Sequence, residues 1–337
     1  QRQMCIRDRL GTGVRIKTNT SGNITLLGRS GNGNTNLLHG ITAETGASLD
    51  AAGDLILTGS SFSAGSWSRG VSLQGATLKA GGSISITGQH SPGATYAVAL
   101  EAYAGTQSTL TAGTGITLES LNNTVGTVQL GDATSLNGGS GDIVIKAAVI
   151  GTITSTSVRN LTTTGSIFLL PDADQTSFGE AVNTQYLNFA NAAGLTIGGA
   201  GNTAAVTLGR AITVAGPITV HGGNIAISTA VTATGNNVNL HATGNVTQTA
   251  AITAAGLGLN GTGNFTLTNT SNNITTLAGG SSTTKLGNVN VVNSGALTIG
   301  TVNPTGITST GTVRVETLSG NLLSLIHISE PTRPRLI

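Results

Sequence analysis

Short runs in which apolar and polar residues alternate recur along the whole chain, among them Ile24-Thr25-Leu26, Leu195-Thr196-Ile197, Phe265-Thr266-Leu267 and Leu297-Thr298-Ile299. Alternation places every second side chain on one face of an extended strand, so each run predicts a short strand of about three to five residues with one buried face. Ile143-Val144-Ile145 belongs to the same set. Between the runs lie Gly, Asn, Ser and Thr, the residues that build tight turns. A 3.6-residue apolar period is missing, and glycine recurs too often for helices.

The runs fall into repeats. Gly46-Ala47-Ser48-Leu49 leads into Asp54-Leu55-Ile56-Leu57-Thr58-Gly59, and the pattern returns as Gly75-Ala76-Thr77-Leu78 leading into Ser83-Ile84-Ser85-Ile86-Thr87-Gly88. A third copy follows, with Leu110, Ala112, Ile116 and Leu118 in the places of Leu78, Ala80, Ile84 and Ile86. In the second half Ala211-Ile212-Thr213-Val214-Ala215-Gly216 recurs from Ala230 and again from Ala251, a tighter period. Strands this short cannot enclose a core alone, but stacked coils share one. The spacing therefore predicts an all-β, single-chain parallel β-helix (a solenoid) with coils of about 19–32 residues. A β-sandwich array is the main structural rival. It needs strands of about 5–6 residues with turns every 8–12, which the in-phase recurrence at Ala211, Ala230 and Ala251 does not fit. With neighbouring coils about 4.8 Å apart, roughly 11–15 coils make a rod of about 50–70 Å. Inward positions are expected at Leu55, Leu57, Ile84, Ile86, Ile116, Leu118, Val238, Leu240, Leu257 and Leu259. Wider coils are expected over 11–170, tighter ones over 194–322, and between them, at 171–193, a loop that leaves the rod and gathers Phe178, Glu180, Tyr186 and Phe189.

The Gly-Asn-Val/Ile-Thr strands, the coil Ala251-Ile252-Thr253-Ala254-Ala255-Gly256 and the run Ser294-Gly295-Ala296-Leu297-Thr298-Ile299-Gly300 resemble filamentous-haemagglutinin-type secreted exoproteins of bacteria. The resemblance covers nearly all of the repeat region and is one of style, shared by many large secreted β-helix proteins. It implies a right-handed parallel β-helix exported through the outer membrane, often by a dedicated partner transporter. It also implies a place outside the cell or on its surface, and a role in adhesion.

Composition agrees with strands and turns: 8% of residues are charged, 3% aromatic and 38% hydrophobic, with 50 glycines in 337 residues. Ordinary domains carry about 25% charge. The two ends change how the charge is read. Met4-Cys5-Ile6-Arg7-Asp8 and the tail through Leu325-Ile326-His327-Ile328 can be translated from one DNA element read in opposite orientations, resembling the adapter of a transposase-based sequencing library. Residues 1–10 and 323–337 are accordingly expected to be non-native. Without them ten basic and eleven acidic residues remain, so the formal charge of +2 becomes −1 and the basic balance carries no message about nucleic acid. The single Cys also falls outside the repeats, at Cys5, which excludes thiol chemistry within them.

Candidate chemistry is sparse, and neither an enzyme, a cofactor nor a metal site is expected. Asp172 and Asp174 are the closest carboxylates, but Pro171 precedes them and the segment reads as a solvated turn. His39, His90, His221 and His241 lack metal-ligand spacing, although His221 and His241 stand one tight coil apart and could stack. Gly256-Leu257-Gly258-Leu259-Asn260-Gly261 matches a dinucleotide fingerprint only as a string, and Gly138-Gly139-Ser140-Gly141-Asp142 only approaches a calcium-binding repeat. The sharpest ligand-site expectation is Trp67 with Tyr96, aided by Arg69. The repeat that aligns Gly59 with Gly88 also aligns the two rings in consecutive coils, where sugars could stack on them. The opposing expectation is an internal aromatic stack. The functional expectation is a secreted or cell-surface rod for adhesion, aggregation or biofilm contact, with a glycan or a neighbouring cell surface as partner. The alternatives are a polysaccharide-degrading β-helix lyase or hydrolase and a passive stalk.

Overall fold

The computed structural model describes residues 8–325 apart from 32–36, 64, 66, 92–95, 122–125 and 153–156. Every strand pairing between its named strands is parallel, and no helix occurs among the described residues. The chain is a parallel β-solenoid. One main sheet runs the length of the rod through thirteen successive strands, from Ile24–Arg29 to Leu322–Ser324. A six-stranded and a seven-stranded sheet complete the N-terminal coils, and a second seven-stranded sheet, from Val182–Asn183 to Val313–Thr317, completes the C-terminal ones. Thirteen rungs at about 4.8 Å give a rod of about 58 Å.

Register in the main sheet keeps the same apolar columns at variable coil length. In the wide coils Ile24 pairs with Leu55, Leu55 with Ile84 and Ile84 with Ile116. In the tight coils Ile218 pairs with Val238 and Val238 with Leu257. All ten expected inward residues lie on the core side, none more than 1% exposed. Each buried Leu, Ile or Val contributes roughly 1.5–3 kcal/mol against its exposed state.

The corner before the main-sheet strands shows why Gly-Asn and Gly-Asp recur. In the N-terminal half Asn23 Oδ1 accepts the Asp54 N–H at 2.8 Å, and Asp54 Oδ1 accepts the Ser83 N–H at 2.8 Å and the Ser83 hydroxyl at 2.9 Å. Those hydrogen bonds hold the Asp54 carboxyl below its usual range. The same device returns at a corner of the C-terminal half. Asn224 Oδ1 accepts from Asn245 N, Asn264 Oδ1 from Asn288 N and Asn288 Oδ1 from Thr312 N, at 2.7, 2.8 and 2.9 Å. A Cβ at Gly53, Gly82, Gly244, Gly287 or Gly311 would fall on the Asx oxygen of the coil below. The side chain of one coil thus requires glycine in the next.

Three features differ from the sequence-based expectation. Residues 171–193 do not leave the rod: Leu187–Ala190 pairs with Arg159–Thr162, Val182–Asn183 starts the second seven-stranded sheet, and Phe178 and Phe189 are buried. This coil is where one sheet ends and another begins, which breaks the repeat phase without breaking the stack. Second, strands in the tight coils are long. Val231–Ala242 runs through a corner, its first half on Ile212–Val214 and its second on Ile218–Gly222, because a tight coil has no room for a separate loop. Third, parts of both expected adapter segments pair with the ends of the rod, Asp8–Leu10 with Ile41–Ala43 and Leu322–Ser324 with Leu297–Ile299. Pairing on an open sheet edge is sequence-tolerant and does not bear on the origin of those segments. Residues 1–7 and 326–337 lie outside the described residues.

The corner device predicts a coupling. Asn264→Ala is expected to cost about 0.5–1.5 kcal/mol, and Gly287→Ala a similar amount by displacing the same oxygen. In urea melts the double variant should cost at least about 0.5 kcal/mol less than the sum of the two. Simple additivity would show that the glycine and the Asn ladder are unrelated.

Candidate functional site

The expected aromatic site is not assembled. Gly59 does pair with Gly88, as the repeat requires, but Tyr96 pairs with Arg69 and not with Trp67. Seven residues separate the strands Leu55–Ser61 and Arg69–Gln74, whereas five separate Ile84–His90 and Tyr96–Glu101. The following strands must stay in register, so the shorter connection brings Tyr96 beside Arg69 rather than Trp67. Trp67 is 56% exposed and Tyr96 is half-buried. Arg69 is not free for a ligand. It is buried, with a two-pronged pair to Glu101 at 2.7 and 2.7 Å, a hydrogen bond to Ser72 and its guanidinium 5.5 Å from the Tyr96 ring centre. Arg159 fills a similar place farther along, donating to the carbonyls of Leu130, Gly131 and Ser157 and to Asp132.

A different site forms in the tight coils. The outward positions His221, His241 and Asn260 are register partners on three successive rungs. The two imidazoles stack with centres 4.2 Å apart and planes inclined by 21°. They form part of the lining of a cleft of about 300 Å³, together with Asn202, Asn260, Ser281 and Thr284. Glycines bracket this floor. Gly198, the residue after the partner of Val220, and Gly280, the residue after the partner of Leu259, both have positive φ, at 80° and 70°. There the chain turns off the sheet and raises a wall at each end of the floor. Asn202 braces one wall: its amide donates to His221 O at 2.7 Å and accepts from Phe178 N and the Ser177 hydroxyl.

Among the described residues no charged side chain lines the cleft. Burial holds both imidazoles below their ordinary value of 6.5, and His241, which also feels His221, is lowered to about 4. Both are therefore neutral at pH 7, each offering one donor and one acceptor. Sequence reasoning saw that His221 and His241 could stack but missed Asn260, although it follows His241 at the same tight-coil interval and carries the same signal. Asn202, Ser281 and Thr284 arrive from loops whose course no periodicity encodes.

The other candidates are settled by their partners. Asp172 is not a solvated residue: it is 2% exposed, Oδ1 accepts the Ala173 N–H at 2.7 Å, and Oδ2 is buried without a hydrogen bond, whereas Asp174 is exposed. Burial pushes the Asp172 carboxyl up against the opposing Ala173 hydrogen bond; Asp174 and Glu119 add to the rise and Lys146 opposes it. Asp142 is a corner residue, its Oδ1 accepting the Ser166 N–H at 2.7 Å. The 256–261 glycine string lies within and just past the strand Ile252–Asn260, not at a phosphate-binding turn. No group of three or more His, Cys, Asp or Glu residues able to hold a metal occurs among the described residues. Comparison with protein-family models, with curated proteins and with solved structures gave no match.

Two outcomes are expected. Arg69→Met should destabilise by roughly 3–5 kcal/mol, because Glu101 is left largely buried without its partner, while Trp67→Ala should change stability by less than about 0.5 kcal/mol. Urea melts check both. For the histidines the folded values lie below the unfolded one, so the unfolded chain takes up protons first as the pH falls. Stability is full above about pH 6.5 and declines toward pH 4, by roughly 2–3 kcal/mol. Melts of the double variant His221→Gln/His241→Gln should lack most of that decline.

Proposed function

We propose that the chain is a length of a secreted or cell-surface bacterial rod that makes contact with another surface, in adhesion, aggregation or biofilm scaffolding, after export through an outer-membrane transporter. The observation that carries this reading is the commitment of the whole described chain to one thirteen-coil stack. Most apolar side chains are spent on holding coils together, and the outward column of the second seven-stranded sheet is hydroxyl- and amide-rich at Thr207, Thr247, Thr266 and Asn290. Such a surface suits broad, weak, repeated contact. No helix among the described residues is long and apolar enough to cross a membrane.

Asp172 favours a second reading, a β-helix enzyme acting on polysaccharide. A buried carboxyl with a raised pKa, near the Glu119–Lys146 pair whose atoms are 3.6 Å apart, has the character of a general acid. Its Oδ2 is enclosed, however, and the nearest partner carboxylates serve an ion pair or point to solvent.

Beads coated with the purified protein should adhere to bacterial or epithelial cells well above beads coated with an unrelated solenoid, and Asp172→Asn should leave that adhesion unchanged. Absence of adhesion, together with polysaccharide turnover that Asp172→Asn abolishes, would replace the contact reading by the enzymatic one.

A further inference from the structure

We infer that the cleft over His221, His241 and Asn260 is a binding site for an uncharged saccharide chain lying along the rod axis. The inference supplies a ligand class for the contact reading and rests on that reading only for its biological use.

The floor is a ladder of hydrogen-bonding groups one rung apart. Neither imidazole makes a side-chain hydrogen bond among the described residues, and the Asn260 amide makes none either. Four ring nitrogens, an amide oxygen and an amide NH2 therefore remain for a ligand. The adjacent column of Thr219 and Asn239 extends the polar surface beside this ladder. Asn202 is fully engaged as a brace, and the corner asparagines bond the coil above. Groups unused by the fold thus lie here on a floor that flanking loops also enclose.

The character of the lining selects the ligand. The described lining holds no charged side chain to offset the desolvation of an anion or a cation. A single metal ion is further disfavoured by geometry. Rings inclined by only 21° direct their lone pairs nearly parallel, whereas one ion needs them to converge at about 2.0–2.1 Å from each nitrogen. A ligand carrying many neutral hydroxyls at regular spacing matches the floor. A rung spacing of about 4.8 Å is close to the length of one ring in an extended chain of β-linked pyranoses. The cleft volume, about 300 Å³, accommodates a short stretch of such a chain. The exposed methyl group of Ala200 supplies a small apolar contact of the kind that sugar C–H groups require.

The test is titration of the full chain with cellotetraose and chitotetraose by calorimetry and saturation-transfer NMR, with a uronic-acid tetramer and Cu2+ as comparison ligands. At least one neutral tetramer should bind and outcompete the uronic-acid tetramer. His221→Ala/His241→Ala should weaken binding at least tenfold. Thr284→Trp, which fills the cleft mouth and leaves the floor intact, should do the same with an unchanged melting temperature. Lack of binding by either neutral tetramer, preference for the acidic tetramer, or binding undiminished in both variants would overturn the assignment. Stoichiometric Cu2+ loading lost in the histidine variant, without saccharide binding, would overturn it in favour of a metal site. Coated beads separate this from the contact reading: adhesion retained by both variants leaves contact standing and removes the cleft from it. Saccharide binding without adhesion does the reverse.

Discussion

The whole molecule depends on backbone hydrogen bonding along the rod axis, because a coil in a parallel solenoid finds partners for its strand N–H and C=O groups only in the coils above and below. Whatever occupies a position must therefore be compatible with the same position one rung away. Identical or similar apolar residues then stack into columns such as Leu55, Ile84, Ile116 and Ile143. Length can vary only where the chain swings outward, which is why the short coil from Val238 to Leu257 and the long one from Ile84 to Ile116 coexist on one sheet. The Gly-Asx corners extend the same rule to side chains. An Asn or Asp oxygen takes the N–H that follows the glycine of the next coil, and that glycine is what leaves it room.

This constraint explains what was legible in the sequence. Inward columns are set by alternation and period, both local properties, so the ten core positions and the coil spacing could be read from the chain alone. Side chains in connections obey no such rule. Trp67 and Tyr96 looked equivalent because the strands before them repeat in step, but a connection two residues shorter shifts everything after it. Residues 171–193 lost the repeat phase and looked like a loop, yet Leu187 and Phe189 continue the columns of Arg159 and Leu161. Asp172 carried the polar signature of a turn, and only the packing around Pro171 shows it buried.

The cleft arises from the same rule applied to polar residues. A column that faces outward has no packing requirement, so it tolerates His221, His241 and Asn260 in succession, and their stacking follows from register alone. Enclosure comes from the two ends of the column, where Gly198 and Gly280 let the chain depart. A flat ladder is thereby converted into a lined cleft without any change to the core. By contrast, the buried guanidiniums of Arg69 and Arg159 are held by carbonyls, carboxylates and hydroxyls, and serve the corners rather than a ligand.

Rung order is the claim on which the register, the corners and the cleft all stand, and a distance along the rod tests it most directly. Ile56 and Thr219 occupy the same outward column six rungs apart, through Ser85, Thr117, Val144, Phe168 and Thr196. Spin labels at these two positions should give a single narrow distance near 29 Å, plus or minus the label tethers, from six steps of about 4.8 Å. A distance below about 20 Å, or a broad distribution, would contradict the stacked-coil register.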